Sequence, residues 1–152
     1  MKFKTAVTTT VGLEAAYQSG LRALRNTDRE RLAARNPRQL SGSVNLDEAL
    51  QHRFPQSPRW DYAVGLSLGQ RQSDKVFWIE VHPATDGQIG SVLAKLQWLK
   101  RWLVAARSPL NAMEREFVWI SSGKTALTAQ SPQVKRMAMQ GLRCVGQHFS
   151  IG

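Results

Sequence analysis

Two runs of alternating residues on either side of a turn-rich hexapeptide constrain this chain more than any other feature. In residues 61–68, Tyr62, Val64, Leu66 and Leu68 point one way, and Asp61, Ala63, Gly65 and Ser67 the other. In residues 75–81, Phe77, Ile79 and Val81 share a face, with Val76, Trp78, Glu80 and then His82 opposite. Residues 69–74 carry the turn formers, so the pair reads as a β-hairpin. With 69–74 as the connection, residue 68 faces 75, 66 faces 77 and 61 faces 82. That register lays Tyr62, Val64 and Leu66 against Val81, Ile79 and Phe77, a consistent apolar face. On the other face Asp61 falls across from His82 and Glu80 across from Ala63. The two carboxylates are then diagonal neighbours with Cβ atoms ~7 Å apart. Ala63, Gly65 and Ser67 are small and leave space above them.

The rest of the chain arranges itself around this hairpin. Leu13, Tyr17, Leu21 and Leu24 recur at helical spacing, and Thr8, Thr9 and Thr10 offer an N-cap just before them. This predicts a first helix from about residue 11 into the early thirties, with Gly20 as a weak point and Asn36-Pro37 as its end. Residues 43–46 read as a short strand, and residues 51–60, with Pro55 and Pro58, as a loop. In residues 87–106 the period becomes helical, with Ile89, Val92, Leu93, Leu96, Leu99 and Leu103 in one stripe. Residues 116–120 follow as a strand. Ser131-Pro132 opens another helix to about Gln140, Gly141 ends it, and 143–151 is a weak final strand. Without repeats or a linker, residues 1–152 read as one domain. The expected class is α/β, a central mixed sheet flanked by helices, with a C-terminal helix and strand after the core.

Charge narrows the partner. The 21 Lys and Arg residues against 11 Asp and Glu leave +10, with a pI near 10.7. A folded basic chain of this kind expects a polyanion, and nucleic acid is the commonest. DNA is the first expectation and RNA the second. Arg22, Arg25 and Arg29 would form a basic stripe on a first helix, and Lys95, Lys100, Arg101 and Arg107 form a second group. A solvated basic face without a partner is the alternative. Apolar stretches fall far short of the ~20 residues a membrane span needs. The first twenty residues lack an apolar signal core, and the single Cys144 cannot make an internal disulfide, so a reducing, cytoplasmic setting is expected.

The chemistry centres on Asp61 and Glu80. Two carboxylates turned toward a protein layer are expensive unless compensated. A shared divalent cation is one compensation. The other is purely structural: Asp61 caps its strand, Glu80 pairs with an arginine, and His82 sits at a rim.

The residues Trp60-Asp61-Tyr62 and Ile79-Glu80-Val81-His82, on a helix, three strands, helix, strand order, resemble the core of the PD-(D/E)xK, or restriction-endonuclease-like, nuclease superfamily. The resemblance covers about residues 11–121, more by topology than by identity. It implies a restriction-endonuclease-like αβββαβ core and Mg²⁺-dependent, or Mn²⁺-dependent, hydrolysis of phosphodiester bonds. Asp61 and Glu80 would hold the ion, helped by the Val81 carbonyl and by Glu14 from the first helix. Histidine stands at position 82 where the family carries lysine. The resemblance therefore gives the catalytic set Asp61, Glu80, His82 and Lys95, the last as a helix-borne lysine. Arg22, Arg25, Arg29, Lys100 and Arg101 would hold the nucleic acid. The same fold without catalysis, as a nucleic-acid-binding or protein-interaction module, is the alternative that the histidine invites. Oligomeric state stays open, a homodimer included.

Other signals carry less. Ser122-Gly123-Lys124-Thr125 ends like a phosphate-binding loop, but its first glycine would fall at Val118 inside a strand. His52, His82 and His148 do not make a zinc pattern. Among the five tryptophans, Trp98 alone falls off the apolar stripe and is the one expected to be exposed.

Overall fold

A computed structural model describes residues 1–152. In chain order its elements are α1 (Phe3–Thr8), α2 (Asn26–Arg29), β1 (Leu32–Ala34), β2 (Leu40–Asn45), α3 (Leu46–Leu50), β3 (Tyr62–Leu66) and β4 (Lys75–His82). After these come α4 (Ile89–Ala105), β5 (Arg115–Ser121), α5 (Pro132–Met139), β6 (Leu142–Cys144) and β7 (Phe149–Ile151). The protein is α/β with a five-stranded mixed sheet, ordered β2-β3-β4-β5-β6. β2, β3 and β4 pair antiparallel, whereas β5 and β6 join in parallel. A small separate ribbon pairs β1 with β7 in parallel.

The sheet buries both faces. On one side Ala63, Val76, Trp78, Phe117 and Trp119 pack under α4, α1 and α3. On the other, Tyr62, Val64, Leu66, Phe77, Ile79, Val118 and Ile120 meet Leu24, Leu32 and Ile151. Long helices thus cover one face, and the β1–β7 ribbon, the turn at Leu24 and the short α2, whose Asp28 accepts from the Tyr62 hydroxyl at 2.5 Å, cover the other. α4 buries the stripe read from its sequence: Ile89, Val92, Leu93, Leu96, Leu99 and Leu103, together with Trp102. α5 starts where expected, its Ser131 side chain accepting from the Val134 N–H with Pro132 at the first helical position. No helix is long and apolar enough to cross a membrane.

Three expectations need correcting. The first concerns the helix from residue 11. The helix lies earlier, at Phe3–Thr8, and residues 10–25 are turns apart from an isolated bridge between Gln18 and Ser43. Instead of capping a following helix, the Thr8, Thr9 and Thr10 hydroxyls donate back to the carbonyls of Lys4, Thr5 and Ala6. Gly12 and Gly20 adopt φ values of 97° and 54°, which a continuing right-handed helix excludes. The second is the hairpin register: Tyr62 pairs with Ile79 and Leu66 with Lys75, a slip of two residues. The connection is longer than six residues because Leu68 leaves the sheet and is exposed. A slip of two keeps every side chain on its face. The third is the final strand, which divides: β6 extends the main sheet and β7 pairs with β1.

Candidate active site

Asp61 stands just before β3 and Glu80 near the end of β4. The observed register puts them directly opposite each other, rather than Asp61 opposite His82, since Tyr62 pairs with Ile79 one step further in. Their contacts interlock. The Asp61 N–H donates to Glu80 Oε1 at 3.2 Å, and Asp61 Oδ2 accepts from the Val81 N–H at 3.0 Å. Lys95, in the second turn of α4, reaches over the sheet to both acids. Its ammonium donates to Glu80 Oε2 and lies 3.4 Å from Asp61 Oδ1. His82 completes the group: its Nδ1 is 3.6 Å from Glu80 Oε2, and its Nε2 is 2.7 Å from Gln88 Oε1.

Burial is graded across the cluster. The Glu80 side chain is fully buried, while those of Asp61, Lys95 and His82 stay 21%, 18% and 24% open. Electrostatics follows this gradient. Burial pushes the Asp61 carboxyl up to about 7; the neighbouring Glu80 charge adds to this, against the pull of Lys95 and the Val81 N–H. Burial works against the Lys95 ammonium, but Glu80 and Asp61 outweigh it and hold its pKa above the usual lysine value. His82 is also raised, first by its hydrogen bond to Glu80 and further by Gln88, against burial. The cluster therefore combines an acid whose carboxyl is pushed up to about 7, a lysine ammonium held by both acids, and a histidine whose hold on a proton is strengthened by Glu80.

The remaining expected residues separate from this centre. Glu14 does not join Asp61 and Glu80. It lies in the turn after α1, accepts from the Gly12 N–H at 2.8 Å, and lines a different cleft with Gln18, Arg22, Asn45 and Glu48. The reason is the missing first helix, which was to carry it over the sheet. No three acids, histidines or cysteines converge as a metal-holding group. The space expected above Gly65 is filled by Phe3: a Cβ on Gly65 would lie 2.3 Å from its Cγ.

The basic residues divide between surface and scaffold. Arg22, Arg25 and Arg29 form no helical stripe, because only Asn26–Arg29 is helical there. Arg25 is open and 3.9 Å from Asp47, whereas Arg29 turns its guanidinium to the Arg22 and Leu24 carbonyls. Lys100 donates to the Gln140 carbonyl at 3.1 Å and covers the Phe117 ring, so it serves packing. Arg101 is exposed beside Gln97. Arg31, absent from the expected binding set, ties the Ser121 and Ser122 carbonyls at the end of β5.

Trp60, Trp78, Trp102 and Trp119 are buried; Trp98, expected to be exposed, is the most open of the five but is partly buried, packed against the core and stacked on Trp102. Gln88 was missed by sequence reasoning. Its place two residues before the second residue of α4 holds no motif, and only the fold brings it to His82. No family model matches the chain, and no curated protein and no solved structure matches it.

Proposed function

We propose that the protein is a Mg²⁺-dependent nuclease-like enzyme on a PD-(D/E)xK-type fold, with Asp61, Glu80 and Lys95 as its working set. The observation that carries this reading is the meeting of two in-register carboxylates with one lysine from the following helix. In the superfamily pattern a lysine stands two residues after the glutamate. Here His82 holds that position, and Lys95 supplies the ammonium at the same two carboxylates.

The donor set suits the ion in kind. Mg²⁺ is commonly held by one or two carboxylates, its other positions taken by water and substrate phosphate. Asp61 and Glu80 would be those ligands, and neither Glu14 nor a third acid is needed. When bound, the ion polarises the scissile phosphate and lowers the pKa of an attacking water. Lys95 offsets part of the charge of the two acids before a polyanion arrives and offers its ammonium to charge that develops on a phosphate oxygen. Gln88 holds Nε2 of His82, so that Nδ1 is directed to Glu80. The exposed arginines, Arg25 and Arg101 among them, supply long-range attraction for the phosphate backbone.

The test is cleavage of plasmid, single-stranded DNA and RNA in Mg²⁺ or Mn²⁺. Hydrolysis that disappears in Asp61→Ala and in Glu80→Ala is the expected result; hydrolysis that survives both substitutions refutes the assignment. One observation favours a second reading. Lys95 already compensates both acids, which also suits a non-catalytic nucleic-acid-binding or interaction module. Binding with a steep salt dependence and no turnover in either metal would select that reading.

A further inference from the structure

One helical turn beyond Lys95, α4 carries aromatic surface that core packing does not use up. Lys95, Trp98 and Trp102 stand at i, i+3 and i+7, and so lie along one side of the helix. Trp98 stacks on Trp102 with ring centroids 5.9 Å apart and planes within 7°. Phe54, from the loop after α3, meets Trp98 nearly edge-on at 5.6 Å. Trp102 is buried and anchors the stack; Phe54 and Trp98 pack against the core and keep only part of their surface open to water. Every other tryptophan is 6% exposed or less. Arg101 follows Trp98 by three residues and is exposed, and Ser91 precedes Lys95 by one turn; Arg59, which donates to the Phe54 carbonyl, is already paired with Asp47 at 3.1 Å and serves to hold the Phe54 loop.

We infer that Phe54 and Trp98 form a stacking platform for an unpaired base, so that the ligand of this site is single-stranded nucleic acid. The inference rests on the nuclease reading for its placement beside the acids, and it names the substrate class. Three residues of helix rise about 4.5 Å, less than the spacing of successive phosphates in an extended strand, so a base on Trp98 lies about one nucleotide along α4 from the root of Lys95, whose ammonium is turned to the acids. In a duplex the base faces are occupied by their neighbours, and an aromatic platform gains nothing from them. An unpaired base offers its face whatever its sequence, and cations beside the rings hold the backbone.

Binding can be read without catalysis, in EDTA, by fluorescence anisotropy of a labelled twenty-nucleotide oligo(dT) and a duplex of equal length. The wild-type protein is expected to prefer the single strand. Phe54→Ala and Trp98→Leu are each expected to weaken it about tenfold or more while moving duplex binding less than about twofold. Because Trp98 also supports the core, photocrosslinking of wild-type protein to an iododeoxyuridine-substituted oligonucleotide gives a second readout, with adducts expected on Phe54 or Trp98. Equal binding of both nucleic acids with Phe54→Ala unchanged, crosslinks confined to other segments, or no binding to either would overturn the platform. Platform-dependent binding without hydrolysis in Mg²⁺ would instead sink the nuclease reading alone. Duplex cleavage indifferent to Phe54→Ala would sink the platform alone.

Discussion

Replacing Asp61 by asparagine is expected to stabilise the protein at alkaline pH. The structure holds the Asp61 carboxyl near 7 against an ordinary value of 3.8, a rise of about three pH units. At 1.36 kcal/mol per unit, the ionised carboxylate costs the folded state about 4 kcal/mol at most. The 21% of the side chain open to water reduces this to roughly 2–4 kcal/mol. The sign follows from proton counting. Between about pH 4 and pH 7 the folded chain holds a proton that the unfolded chain has released, so wild-type stability falls as pH rises through this window. Asparagine has no proton to lose and its stability lacks this fall. Urea unfolding of both proteins from pH 4 to pH 8.5 should give curves that coincide near pH 4, diverge above it and run parallel beyond about pH 7.5. The Asp61→Asn protein should be the more stable at the upper end. Added Mg²⁺ should then stabilise the wild type and not the variant, through binding to the folded state alone. An Asp61→Asn protein that is less stable than wild type at pH 8 would refute the reasoning, because it would make Asp61 an ionised partner that holds Lys95 in place.

Lys95→Met has the opposite sign: it leaves the buried Glu80 without its cation and is expected to cost about 3–5 kcal/mol at pH 8, read by the same urea titration. An unchanged midpoint would mean that Lys95 is dispensable to the cluster. Gly65→Ala drives a methyl into Phe3 and is expected to cost about 1–3 kcal/mol, with part recovered when Phe3→Leu is added. Simple additivity of the two substitutions in thermal unfolding would show that α1 is not seated in that notch.

The sequence and the structure agree most where one element serves one face. β3, β4 and β5 alternate cleanly because each side of the sheet is buried, and α4 carries a stripe that a single layer accepts. The acid pair was legible for the same reason: alternation alone assigns Asp61 and Glu80 to one face, and a register slip of two leaves that assignment intact. Residues 11–25 misled because Leu13 and Leu24 share helical spacing yet enter opposite layers. Leu13 joins the core under α4, and Leu24 the core on the other face. Between them the segment passes the outer edge of β2, where Gln18 and Ser43 exchange backbone hydrogen bonds. A periodicity count cannot distinguish one buried stripe from a chain that wraps round a sheet edge. Glu14 was lost with that helix. Gln88 and Phe54 were invisible because their partners, His82 and Trp98, are brought to them only by the turns before α4 and β3.

The β1–β7 ribbon joins residues 32–34 to residues 149–151, so more than a hundred residues separate its two edges. Closing so long a loop for three-residue strands is entropically unrewarding until the main sheet exists. On that ground the ribbon is expected to form last and open first, which amide exchange at Phe149 and Ile151 would check. Its opening is not silent. Arg31, whose carbonyl accepts from Phe149, also clasps Ser121 and Ser122, and the Ser122 N–H donates to the His82 carbonyl. Fraying at the far end of the chain therefore slackens the strand ends beside the acid pair, and the tightness of that corner is set by four residues that lie nowhere near it in sequence.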